Sequence, residues 1–195
     1  MDSEVKGSGY GGIESGSRTA VANKRSMRGC DVVLRFLALA LSLAAAVVLG
    51  VNKETKMVSV TLVPTLPPIS IPATAKWHYL SAFTYLVVVN SIACGYAAIS
   101  LVLTLANRDG KRVITTLIVL FDLVMVALLF SAIGAAGAIG LMGYHGNSHV
   151  QWKKVCNVFD KFCGQTGASL GLAAAAAAAF FLLVVLATYN LHKRH

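Results

Sequence analysis

The sequence predicts an all-α membrane protein, four transmembrane helices in an antiparallel bundle, and three observations predict it. The chain of 195 residues is 56% hydrophobic with a mean hydropathy of +0.70, too apolar for a soluble domain of this size. Its apolar residues gather into four runs, about Val32 to Val51, Tyr79 to Ala106, Val113 to Gly143 and Gly167 to Leu191, each reaching the ~20 residues a helix needs to cross a bilayer. The basic residues behind the formal charge of +9 sit beside the ends of those runs, which suits anionic lipid headgroups and not nucleic acid.

Residues 1–27 are rich in glycine and serine without an apolar period and read as a flexible tail; 28–191 form the transmembrane domain and 192–195 a second tail. Lys24, Arg25 and Arg28 precede the first run, and Ala44, Ala45 and Ala46 imitate a signal-peptide cleavage site. The long tail before the run, Arg35 within it and its continuation through Val47, Val48 and Leu49 favour a retained span. Arg35 shares a helix face with Ala38, Ser42 and Ala46, a small and weakly polar stripe suited to an inward side.

From Asn52 to His78 the chain contains Pro64, Pro67, Pro68 and Pro72 and reads as a surface loop, extended and semi-rigid around Pro64 to Pro72 and not helical there. Trp77 and Tyr79 follow as interfacial anchors. The second run places Asn90, Ala93, Cys94, Ala97 and Thr104 on one face, with Asn90 expected to bond a neighbouring helix. The short turn from Asn107 to Arg112 holds Arg108, Lys111 and Arg112 against Asp109. By the positive-inside rule it is cytosolic, and an even number of spans then places both termini in the cytosol.

Asp122 is the one charge inside the third run, and a bare carboxylate there costs about 2.5 to 3.5 kcal/mol on insertion scales. At 100° per residue its face also carries Thr115, Ala136, Gly137, Gly140 and Gly143, so the acidic side is also the side on which backbones can approach closely. Arg35 and Asp122 are each other's opposite-charge candidates well inside the apolar runs, which predicts an intramembrane ion pair. The competing reading has Arg35 reaching to the headgroups and Asp122 protonated.

In the last loop, Tyr144 to Thr166, Cys156 and Cys163 face the outside on this topology, where a short separation and an oxidising compartment favour a disulfide. Zinc held by those cysteines with His145 and His149 is the alternative, without the spacing of a structural site. Cys30 and Cys94 read as inert thiols, Cys30 also being placed for acylation. The final run opens with Gly164, Gly167 and Gly171, the last two forming GxxxG, then runs through Ala173 to Ala179. This close-packing face serves either the bundle itself or a second copy.

Several stretches together resemble the plant Casparian strip membrane protein-like (CASP-like) family over about residues 28–190. They are DVVLRFLALALSLAAAVVLG with Arg35, AFTYLVVVNSIACGYAAISL before the basic turn, the third span with Asp122, and WKKVCNVFDKFC with Cys156 and Cys163. The resemblance implies a plasma-membrane tetraspan that assembles into homo- and hetero-oligomers with related four-span proteins, forming laterally immobile platforms, and it maps the family's paired charges onto Arg35 and Asp122. For the strip-forming branch it further implies recruitment of cell-wall-modifying enzymes such as peroxidases. The first outer loop, VSVTLVPTLPPISIPATAKWHYL, lacks that branch's acidic, Phe-rich stretch, so the likeness is to a CASP-like relative.

No catalytic constellation, cofactor motif or metal set stands in the sequence, which points to a non-enzymatic scaffold. The rival is a small ion or proton transporter in which Asp122 lines the path. It lacks the broken helices and paired repeats of known transporter folds.

Overall fold

A computed structural model of the chain describes residues 11–60, 69–106, 112–146, 149 and 154–192. Its helices are α1 (Gly11–Gly50), α2 (Ser81–Ala106), α3 (Arg112–His145) and α4 (Asp160–His192), and all four contain a stretch long and apolar enough to span a membrane. Those stretches are Gly29–Gly50, Ser81–Ala106, Val113–His145 and Asp160–Asn190. Helix α1 packs against α2 and α4, and α3 packs against the same two, so α1 and α3 stand at opposite corners of the bundle.

Most buried positions of every helix follow a spacing of alternately three and four residues, with Val89, Val126, Ala177 and Ala179 buried beside the series. The series runs through Arg35, Ala38, Ser42, Ala45 and Leu49 on α1, Phe83, Leu86, Asn90, Ala93, Ala97 and Ser100 on α2, and Asp122, Met125, Leu129, Ala132 and Ala136 on α3. On α4 the series is Phe162, Thr166, Ser169, Ala173, Ala176, Phe180 and Leu183. This is the 3.5-residue repeat of knobs-into-holes bundles. Its seams are mostly Ala, Ser and Asn, while Phe36, Val47, Ile99, Val102, Leu120, Phe130 and Phe181 lie exposed on the flanks. In lipid the large apolar side chains lose nothing by facing outward, and small seam residues let the backbones close on one another.

The first correction to the sequence reading lies at α1, which runs back to Gly11, where a flexible tail was expected through residue 27. Once the span has met the cost of helix nucleation, adding strong helix formers such as Ala20, Ala22, Lys24 and Arg25 costs little. Residues 1–10 of the expected tail, Arg108 and Lys111 of the basic turn, and residues 193–195 lie outside the described residues.

The second correction is a β-hairpin where a surface loop was expected. Strands β1 (Lys53–Val60) and β2 (Ile69–Lys76) pair antiparallel, in a register that runs from Lys53 opposite Lys76 to Val60 opposite Ile69. Thr55, Val58, Val60, Ile69, Ile71 and Thr74 give both segments β-branched content, and Pro72 is tolerated because every strand of a two-stranded sheet is an edge. Pro64, Pro67 and Pro68 lie outside the described residues.

The third correction is the start of α4, at Asp160 and not near Gly167. Glu54 of β1 accepts a hydrogen bond from the Phe162 backbone N–H at 2.8 Å, a cap brought in from a distant strand. That carboxylate and Asp160 both place negative charge at the positive end of the helix dipole. At its other end α3 is closed by Gly146 at φ 73°, whose N–H reaches the Met142 carbonyl at 2.8 Å, the left-handed cap that glycine adopts at least cost.

Asn52, 1% exposed, fastens the end of α1 to α4 by donating to the Phe162 carbonyl at 2.9 Å and to Thr166 Oγ1 at 3.1 Å. Deeper in, Ser169 donates to the Ala45 carbonyl at 2.8 Å. Asn52→Ala is expected to cost about 1 to 2 kcal/mol, the usual value of buried hydrogen bonds lost on one side. Thermal unfolding in mild detergent checks it as a drop of a few degrees in the midpoint.

Candidate functional site

The antiparallel register that carries Ser169 to Ala45 also brings all four helices together at a polar layer nearer the opposite face of the bundle. Arg35, 3% exposed, extends from α1 across the diagonal to Asp122 of α3, 0% exposed. Its Nη2 donates to Asp122 Oδ2 at 3.1 Å and its Nη1 to Asp122 Oδ1 at 3.3 Å, the two-pronged geometry of a guanidinium on a carboxylate. Nη1 also donates to Ser100 Oγ of α2 at 3.0 Å. Nε and Nη2 turn back to Asp31, one turn earlier on α1, at 3.1 and 3.5 Å.

A guanidinium has five N–H bonds, and these contacts engage every one of them. Asp122 Oδ1 also lies 2.7 Å from the Tyr96 hydroxyl of α2, which is 3.0 Å from the Ile118 carbonyl as well; its single proton favours the charged acceptor. The Tyr96 ring lies beside Phe121 of α3 and Phe180 of α4, with centroids 6.2 and 6.1 Å away. Two carboxylates face one guanidinium here. The surplus negative charge falls at Asp31, whose side chain is 25% exposed near the end of the span.

Sequence reasoning missed Asp31, Tyr96 and Ser100. Asp31 had a signal, since an acid four residues before an arginine on a helix is a favoured pair. Ser100 had one as well, as a polar residue continuing the spacing of Asn90, Ala93 and Ala97, while Tyr96 had none, because only the register of α2 against α3 brings it to the charges.

At the far end, Cys156 and Cys163 form a disulfide with Cα atoms 5.6 Å apart. It ties the segment before α4 to that helix's first turns and does not simply close a loop, because Cys163 is itself helical. The Gly143 carbonyl accepts from the N–H groups of Val155 at 2.9 Å and Cys156 at 3.2 Å, which brings the end of α3 to the same place. With both thiols in the disulfide, the zinc set with His145 and His149 loses its sulfur ligands. Among the described residues no three His, Cys, Asp or Glu side chains are grouped for a metal.

The residues expected to pack helices are placed differently. Asn90 is fully buried, yet it donates to the Leu86 carbonyl of its own helix at 2.8 Å and not to a neighbouring helix. A Cβ built at Gly137, Gly140, Gly167 or Gly171 would meet nothing within 4 Å, so none marks a close helix approach within the bundle. On α3 the cause is the period. A 3.5-residue seam departs from the straight-helix period by about 20° per heptad, which turns Gly140 about 50° away from Asp122. Gly143, three whole heptads from Asp122, keeps to the seam and meets the Cys156 sulfur at 3.9 Å from its built Cβ. On α4, Gly164, Gly167 and Gly171 lie exposed on the face opposite the seam, continued by Ala174, Ala175 and Ala178.

Four apolar spans closed on small-residue seams, with the charges inside them consumed by one another, define a multi-pass membrane protein of the tetraspan class. The chain belongs to the Casparian strip membrane protein family, whose domain matches residues 24–186. It is 58% identical to CASP-like protein 1E2 of Vitis vinifera over the whole of both chains. It is 53% identical to CASP-like protein 1E1 of Populus trichocarpa over 91% of this chain and 90% of that one. Against CASP-like protein 1E2 of Arabidopsis thaliana the identity is 55%, covering 85% of this chain and 88% of that one. No solved structure matches the chain.

Proposed function

We propose that the protein is a non-enzymatic scaffold of the plasma membrane, with both termini in the cytosol. It oligomerises with itself and with related four-span proteins into platforms and presents its outer segments to cell-wall-modifying proteins. The observation that carries this reading is the lipid-facing stripe of Gly164, Gly167, Gly171, Ala174, Ala175 and Ala178 on α4, which the bundle itself leaves unused. Van der Waals closeness between backbones is what drives helix association in lipid, and such a stripe supplies it. The cluster at Arg35 supports the same reading. A transport path through Asp122 needs an acid free to bind and release its cargo. Asp122 instead accepts from Arg35 at both oxygens, and arginine does not deprotonate in proteins.

The test is cross-linking in native membranes followed by purification in mild detergent. Parent protein is expected to yield oligomers, and Gly167→Ile with Gly171→Ile to reduce them about tenfold, equivalent to ~1.4 kcal/mol, while the disulfide and helical content stay at parent levels. A monomeric parent, or oligomers indifferent to both substitutions, removes this reading. Liposome flux abolished by Asp122→Asn supports transport instead.

A further inference from the structure

The hairpin carries a pair of like charges that its own fold does not neutralise. Lys53 and Lys76 occupy directly opposite positions of β1 and β2, so their side chains leave the same face of the sheet. Thr55 and Thr74, the next pair on that face, hydrogen-bond at 3.1 Å. Like charges directly opposite one another destabilise an antiparallel pair unless an anion lies between them. The nearby acid cannot serve. Glu54 projects to the other face, where it holds the Phe162 N–H and pairs with Lys56 at 3.4 Å. Among the described residues, Lys53 and Lys76 have no carboxylate in salt-bridge contact.

Their height relative to the membrane chooses the anion. Lys53 stands three residues past the first span, at most about 10 Å at the rise of a strand. The headgroup layer of each leaflet is about 5 to 7 Å deep. A lysine stem is long and flexible enough to lower its ammonium into that layer. Lys76 stands five residues before the second span, with its Nζ 5.6 Å from the centre of the Tyr79 ring, and that ring is 62% exposed, as suits an interfacial aromatic. We propose that Lys53 and Lys76 together hold the phosphate of a phospholipid headgroup in the leaflet on the hairpin's side, with the Tyr79 ring beside it. A bound phosphate would remove the repulsion at the base of the hairpin and so couple the shape of this outer segment to the lipid around it.

The full chain is placed in nanodiscs of phosphatidylglycerol and released for native mass spectrometry, in parent form, with Lys53→Gln and Lys76→Gln together, and with Lys154→Gln and Lys161→Gln together. The expected result is one retained phospholipid on the parent and on the Lys154 and Lys161 variant, and about tenfold lower occupancy on the Lys53 and Lys76 variant. Removing like charges leaves the fold intact, which helical content and an intact disulfide verify. Equal retention by all three proteins overturns the proposal, as does equal loss in both variants. Retention of a phosphate-free galactolipid in its place, displacement by inorganic phosphate alone, or binding of a soluble polyuronate at these lysines with lipid occupancy unchanged also overturns it.

Discussion

Asp122→Ala is expected to be the most damaging single substitution in the protein, at about 3 to 5 kcal/mol, the cost of removing one partner from a buried pair. The substitution leaves Arg35 with a full charge, 3% exposed, and among the described residues with only Asp31 and Ser100 to answer it. Arg35→Ala should cost a similar amount, since it strands Asp122 with Tyr96 as its one remaining side-chain donor among the described residues. Asp31→Asn should cost far less, because Asp31 is partly exposed and the guanidinium keeps its deeper partner. Urea- or SDS-induced unfolding in mild detergent measures all three, and export of tagged variants from the endoplasmic reticulum in cells reads the same order. Exchanging the two charges recovers only part of the loss, because an aspartate at position 35 would stand one helical turn from Asp31.

The second large effect is expected at the disulfide. Cys156→Ser or Cys163→Ser should lower stability by about 2 to 3 kcal/mol, the chain-entropy value for so short a loop. The sequence separation is seven, and Cys156 is buried, so a serine there also places a hydroxyl among apolar neighbours. The loss should be concentrated at the end of the bundle where Gly143 receives Val155 and Cys156 and where Glu54 caps α4. Hydrogen exchange should therefore quicken for the amides of the first turns of α4 and of the hairpin, with the amides around Arg35 unchanged. Uniform acceleration across all four helices would contradict this division.

The four spans were legible because length and apolarity alone decide what can cross a bilayer, and the charges in two of them because a lone charge in a span demands an answer. Which side of each helix faces inward was only half legible. Away from Arg35 and Asp122 seam and flank are both uncharged, and Leu, Val and Phe, the usual markers of a core, stand on both sides, Leu86, Leu129 and Phe180 inside and Val102, Leu120 and Phe181 outside. Ala38 and Ser42 were placed on the inner face of α1 from their spacing to Arg35, and both are buried. Further from the charge the assumed period misled, favouring Ala46 over Ala45 and Gly140 over a position nearer the seam. The hairpin was hidden behind its prolines, three of which lie outside the described residues. The early start of α4 depends on Glu54, more than a hundred residues away in sequence, and no local signal reports such a cap.

The central claim is that a guanidinium and a carboxylate at opposite corners of the bundle hold its four helices in register. A double-mutant cycle with Arg35→Met and Asp122→Leu tests it most directly, with unfolding free energy measured for the parent, both single variants and the double variant. The account predicts that each single variant loses about 3 kcal/mol or more and that the double variant recovers most of the loss, because the pair is then replaced by apolar side chains of similar size. A double variant whose loss equals the sum of the two single losses would contradict it.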